Sequence, residues 1–334
     1  MSVSAQAAVV LERATLGRRP AALPRCSYPT AGDVARHGVQ PLPTVLPLVD
    51  FARAEPHRSL RYTAVTAETL TARQLLELAR VVGASFAKRE PQSRHLRPPA
   101  HAPAGLLRAH HDDPFGREAF GPWTTASLLY WFIRLCVLTD PATPRGAIRM
   151  NHDTLTQSLA ILDEHGQVIG GALNETTPHG EESPLREDDP FLSAALGFVE
   201  PVLALLAAQD AEAFAALAAR YPDFRTAHDA GRVGHHFMVA RSDALDKADA
   251  FELVAATAAR YREVGYAFMV VEATNQWTGA ACEVLNGVRV HFAPFRARPF
   301  LRKSATPLDD VVTSPSGFLS DKDSGSMLYV IRLS

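Results

Sequence analysis

The chain is short of cysteine: three in 334 residues, at Cys26, Cys136 and Cys282. An odd and widely spaced set supports neither a disulfide framework nor a zinc cluster. Long apolar runs are missing as well. The most hydrophobic stretch, Leu128 to Leu138, contains Arg134 and falls short of the ~20 residues that cross a bilayer. Near Met1 no apolar core follows a basic segment, so no secretory signal is expected and the cytoplasm is the expected location. There is no excess of either charge. A formal net charge of −2 gives no general attraction to nucleic acid or to an anionic membrane. The histidines contain no His-Glu-x-x-His spacing. His110-His-Asp-Asp113, His152-Asp153 and His235-His236 match no zinc pattern. Neighbours in a strand point to opposite faces, so one ion would not take both His235 and His236. No metal is expected.

What is present is ordinary for a soluble globular chain: 47% hydrophobic and 21% charged residues, over a length that can bury a sizeable core. Residues 1–58 are rich in Pro, Arg and small residues and read as an extension. Residues 59–334 read as one domain carrying a long Pro- and His-rich insert at 91–122. Arg61 to Val65 reads as a strand. Thr71 is a natural N-cap for a helix over 72–87, with Leu75, Leu78, Ala79, Val82 and Phe86 along one side. Periodicity leaves 124–138 open between helix and strand. Ser158 to Leu162 and Gln167 to Leu173 flank a polar turn ending in Gly166, a hairpin signal. Two helices follow, over 190–208 and 210–220. Residues 235–295 then run strand, helix, strand, helix, strand. A last strand covers 326–333. Strands outnumber a simple β-α alternation, so the expected class is α+β: an α/β sandwich with a mixed sheet and helices on both faces.

Several local patterns in this order resemble the GNAT (GCN5-related N-acetyltransferase) superfamily. Ile169-Gly-Gly-Ala-Leu-Asn174 is similar to the end of its central antiparallel pair. Phe86-Ala-Lys-Arg-Glu-Pro91 resembles the Phe-x-x-Asp-Glu-Pro motif of arylalkylamine and dopamine N-acetyltransferases, with Arg89 where that motif has Asp. Gly265 to Glu272 resembles the fifth strand, and Asn275 with Ala280 to Glu283 the segment after it. The resemblance implies transfer of an acyl group, with acetyl-CoA or another acyl-CoA as co-substrate and a small amine as acceptor. An acyl-carrier protein as donor, or a non-catalytic binding protein of the same fold, are the alternatives. It places the acyl-CoA along Val239, Arg241, Ala244, Lys247 and Asn275. Two departures stand out. The family's glycine-bearing pyrophosphate loop reads Arg241-Ser-Asp-Ala-Leu-Asp246 here. Cys282 stands where the family's Tyr acid would be, seven residues after Asn275.

Acyl transfer to an amine needs a base, because only the free amine attacks, and a donor for the oxyanion. Glu90 is the first candidate base, at a helix boundary before Pro91. Glu272 is the second, at the end of an apolar strand where an ionisable group needs a reason. Cys282 is the candidate acid for the departing thiolate, since a thiol titrates near ~8.5; a small buried residue on a helix face is the other reading. Asn174, after the hairpin strand, is a candidate substrate contact. Arg296, Arg298, Arg302 and Lys303 form a basic cluster that reads as a solvated face.

Overall fold

The computed structural model describes residues 62–90, 93, 104–120, 123–138, 152–177, 190–294 and 325–334. The extension at 1–58, the loop-like tail over 298–322 and its basic cluster lie outside them. Seven strands form one sheet: β1 (Thr63–Thr66), β2 (Leu159–Leu162), β3 (Val168–Thr176), β4 (Val233–Arg241), β5 (Phe268–Ala273), β6 (Val288–Pro294) and β7 (Gly325–Arg332). Their order is β1-β2-β3-β4-β5-β7-β6. Among the described strands, only β4 and β5 are parallel; β1 to β4 form an antiparallel series, and β7 lies antiparallel between β5 and β6. The sheet is mixed, as expected.

Helices cover both faces. On one side, α1 (Ala72–Arg89) and α4 (Thr125–Phe132) pack Leu78, Val82, Leu128 and Phe132 against Leu173, Met238 and Ala240. On the other, α8 (Lys247–Glu263) and α9 (Gln276–Val284) pack Val254, Ala258 and Ala281 against Met269, Val271 and Tyr329. Alternation along β5 explains the split: Phe268 and Val270 face instead α6 (Pro190–Arg220) and α7 (Pro222–Asp229). Each fully buried large apolar side chain contributes about 1.5–3 kcal/mol.

Local chemistry sets the ends that matter for the site. Thr71 caps α1 in a reciprocal box with Gln74. At its other end, Pro91 disfavours helical geometry in the residue before it. Glu90 is accordingly extended, with ψ 129°, and leaves the helix with its side chain buried. Three elements differ from the sequence reading. α6 runs unbroken through Asp210, because no Pro or Gly interrupts 208–212. The insert holds two helices, α2 (Ala104–Asp112) and α3 (Pro114–Phe120). The ambiguous 124–138 stretch is helical: α4 runs on into a wider π turn over Ile133–Val137. A further short helix, α5 (His152–Gln157), precedes β2.

Candidate active site

The parallel pairing of β4 with β5 runs from Val233↔Phe268 to His236↔Val271 and stops there. β4 continues to Arg241, where β3 is its one partner among the described strands. A bulge at Phe237 marks the divergence, since Leu173 pairs with Met238 but Asn174 pairs with His236. The two strands therefore splay, and two cavities open beside the wedge.

One cavity is apolar, of about 80 Å³, walled by Phe86, Leu129, Phe132, Phe237 and Met238. Glu90, His236 and Glu272 also line it. The other is wider, about 340 Å³, and its lining includes Arg89, Arg241, Lys247 and Trp277. They share Glu90, Val239, Asn275 and Thr278. The Glu90 carboxylate is thus at the junction. Thr274 Oγ1 donates to its Oε2 at 2.6 Å, and Asn275 Nδ2 to its Oε1 at 2.7 Å. Asn275 has a second task as the N-cap of α9, accepting from the Trp277 and Thr278 N–H groups. One residue therefore ties the carboxylate to a helix start.

Glu272 belongs to a buried chain of charges. Its Oε2 lies 2.6 Å from His235 Nε2, and His235 Nδ1 lies 2.9 Å from Glu175 Oε1. Asp210, from the unbroken middle of α6, hydrogen-bonds the same Glu272. Burial works against a charge on His235, but the Glu272 carboxylate and the hydrogen bonds to both glutamates outweigh it and hold the imidazole pKa well above its usual range. Burial would raise Glu272; the His235 charge and the hydrogen bonds from His235 and Asp210 bring it below the carboxylate range instead. Burial and the Glu272 charge push Asp210 well up, so Asp210 is the protonated partner. Counting one charge each on Glu175, His235 and Glu272 leaves the group at −1. Glu272 Oε1 is buried without a hydrogen-bond partner.

His236 is different. Asn174 donates its Nδ2 to the Gln157 carbonyl, and Asn174 Oδ1 lies 2.8 Å from His236 Nδ1. An amide oxygen only accepts, so Nδ1 carries the proton and Nε2 is a bare acceptor. That Nε2 is buried and has no partner. Burial, with the His235 charge adding to it, drives the His236 pKa down to about 3.

The sequence-derived candidates are now placed. Glu90, Glu272, Val239 and Asn275 line the apolar cavity; Glu90, Val239, Arg241, Lys247 and Asn275 line the wider one. Asn174 lies inside β3, fully buried, with both side-chain atoms engaged; it lines neither cavity and reaches the apolar one only through His236. Cys282 is fully buried in the core between α9 and the sheet and lines neither cavity. Ala244 is exposed in the turn before α8 and also lines neither. Glu175 and Asp210 are absent from the sequence-derived candidates, and His235 and His236 enter there only as a metal pair that strand geometry sets aside. Two ionisable residues inside an otherwise apolar strand, and one acid in an alanine-rich helix, were the available signal.

The turn from Arg241 to Asp246 is closed on itself. Asp246 Oδ1 accepts from the Asp249 N–H at 2.9 Å, and Asp249 Oδ2 accepts from the Asp246 N–H at 2.7 Å. Asp243 is held by Lys88 at 2.7 Å and Arg89 at 2.5 Å. Arg241 donates to the Leu245 carbonyl. Lys247 Nζ lies 3.6 Å from the Trp277 ring centre.

No family model matches the chain, and no curated protein matches it. Among solved structures it is similar to a putative arylalkylamine N-acetyltransferase 7 from the yellow fever mosquito, with TM-score 0.46, 11% identity, and 82% of this chain and 88% of that one covered. It is also similar to the C-terminal condensation domain of Ebony in complex with β-alanyl-dopamine (TM-score 0.46, 13% identity, 81% and 99% covered). A Drosophila melanogaster polyamine N-acetyltransferase aligns over 59% of this chain and 86% of its own, with TM-score 0.32 and 14% identity. At these identities and TM-scores, neither a fold family nor any residue role is carried over from these structures. Among the described residues, no helix is long and apolar enough to cross a membrane, and no cluster of three or more His, Cys, Asp or Glu could hold a metal.

Proposed function

We propose that the chain transfers an acyl group from a thioester to a small primary amine by direct attack. One observation carries this reading: the charged cavity and the apolar cavity meet at a buried carboxylate, Glu90. A thioester arm entering past Lys247 and Arg241 brings its carbonyl to that junction. The unpaired edge of β4 beyond His236 suits an extended amide-bearing arm such as pantetheine, whose amides can pair with strand backbone. The amine enters from the apolar side. Glu90 takes the proton from the ammonium, the amine attacks, and backbone N–H groups along the open β4 edge stabilise the oxyanion. The carbon–sulfur bond then breaks, the thiolate leaves with its electron pair, and the extra proton on nitrogen passes to the thiolate or to water. Cys282 has no part in that step, because it lines neither cavity.

The donor is a pantetheine thioester, with acetyl-CoA the first form to test. The pantetheine portion fits the wedge. The diphosphate fits less well, because the Asp246 carboxylate already occupies the α8 N-terminus where an anion would bind. That observation favours a second form, an arm carried by an acyl-carrier protein, whose single phosphate stays outside. Acetyl-CoA and acetyl-pantetheine compared as donors separate the two. If the reading holds, Glu90→Gln lowers kcat by about 10²–10⁴ and removes the rising limb of the pH–rate profile. An unchanged profile would remove Glu90 from the role of base.

A further inference from the structure

The apolar cavity contains a feature that the transfer step does not use. Glu272 Oε1 is buried and without a partner, while the other oxygen of the same carboxylate begins a chain that leads outward. Glu272 is 3% exposed at its side chain, His235 9%, and Glu175 38%. Links of 2.6 Å and 2.9 Å therefore join the cavity to solvent. The groups facing His235 are Glu175 from β3, Glu272 from β5, Asp210 from α6, its neighbour His236, and the Tyr261 hydroxyl of α8, which donates to the His235 carbonyl. Among the described residues, no Lys or Arg lines the apolar cavity. Two residues of its lining, Glu272 and His236, each carry a buried acceptor, Oε1 and Nε2, without a hydrogen-bond partner among the described residues. Such a cavity suits a cation that donates hydrogen bonds.

We propose that Glu272 Oε1 and His236 Nε2 anchor the acceptor's ammonium group, and that His235 gives up one proton to solvent through Glu175 as that ammonium arrives. This rests on the acyl-transfer reading for the identity of the occupant as an amine. The exchange balances. The His235 Nδ1–H bond breaks and its electron pair stays on nitrogen. The proton passes to Glu175 Oε1 and then to water, and the positive charge lost by the imidazolium equals the one the ammonium brings. The net charge of the buried group plus its ligand is unchanged, which avoids the cost of adding an unbalanced charge at low dielectric. Glu272 thereby stays ionised beside the substrate, and Glu90 keeps the role of base.

Phenethylamine is the probe, with phenethyl alcohol as its neutral counterpart. Calorimetric titrations in two buffers of different ionisation enthalpy read the protons exchanged on binding. The wild type is expected to release about one proton per amine near neutral pH, and to bind the alcohol at least roughly tenfold more weakly. His235→Gln is expected to bind the amine with no release. Glu175→Gln, at a partly exposed position, is expected to move the pH window of release downward, because His235 loses one of its two anionic partners. The proposal is overturned by wild type that does not bind the amine, by release that persists in His235→Gln, or by alcohol bound as tightly as amine. Proton release without amide formation from any thioester would sink the transfer reading and leave this one standing. Amide formation without proton release would do the reverse.

Discussion

His236 provides a stability prediction that can be worked through in numbers. Its imidazole is buried and neutral, with a pKa lowered from 6.5 to about 3. In the unfolded chain it titrates normally. A depressed folded pKa contributes stability that is fully present above 6.5 and is lost as pH falls toward 3. Over that range the unfolded state binds one more proton than the folded state, so stability falls by about 1.4 kcal/mol per pH unit. From pH 6.5 to 4.5 this amounts to about 2 kcal/mol, because the unfolded imidazole is half protonated at the upper limit. Asp210 acts in the opposite sense. Its folded pKa is raised, so between its ordinary value and the raised one the folded state holds the extra proton, and stability grows as pH falls. His235, with a raised pKa, is protonated in both states below 6.5 and contributes no slope there. Its stabilisation is lost as pH rises through its folded pKa. Glu272, depressed, loses its contribution only below about 4.5. As pH falls from 6.5, wild-type stability therefore carries two opposed slopes, one from His236 and one from Asp210. Replacing His236 with Gln removes one of them. Urea unfolding of both proteins at half-unit pH steps should show the variant gaining on wild type by about 1.4 kcal/mol per unit of acidification. A difference that does not change with pH would refute the neutral, buried state of His236.

Other outcomes follow from single contacts. A Cβ at Gly171 would sit 2.3 Å from Leu78 Cδ1 and 2.9 Å from the Leu159 carbonyl oxygen. The first can turn away and the second cannot, so Gly171→Ala should cost about 1–3 kcal/mol in chemical denaturation; a neutral result would put β2 further from β3 than described. Asn174→Ala leaves the His236 Nδ1–H and the Gln157 carbonyl without their partner and should cost about 1–3 kcal/mol while weakening phenethylamine binding. Lys247→Ala should raise KM for acetyl-CoA and leave KM for acetyl-pantetheine nearly unchanged, since only the former brings phosphates to Lys247 and Arg241. Equal effects on both donors would place Lys247 against the arm itself.

Much of the fold was legible because its signals are local. Thr71, the Gly166 turn and Asn275 each end an element through chemistry within a few residues, and the strands are read from apolar runs. The helix end at Glu90 is legible for the same reason, through Pro91. Asp210 was read as a break because an acid in an alanine-rich stretch resembles a helix end; its burial against Glu272 depends on α6 lying over β5. His235 and His236 look alike in sequence. One became a charged bridge and the other a neutral acceptor because β3 offers Glu175 to the first and Asn174 to the second, across a register offset by the Phe237 bulge. Ala244 was chosen by counting along a motif, and the Asp246–Asp249 cap that closes the turn involves pairing that a count does not show.

The acyl-transfer reading stands most directly on one assay. Purified protein is incubated with acetyl-pantetheine or acetyl-CoA and phenethylamine, and N-acetylphenethylamine is measured by mass spectrometry beside a Glu90→Gln control. The expected result is amide from the wild type with at least one donor, reduced by about 10² or more in the variant. Amide formation at the uncatalysed rate with both donors, in protein that binds the amine, would contradict it.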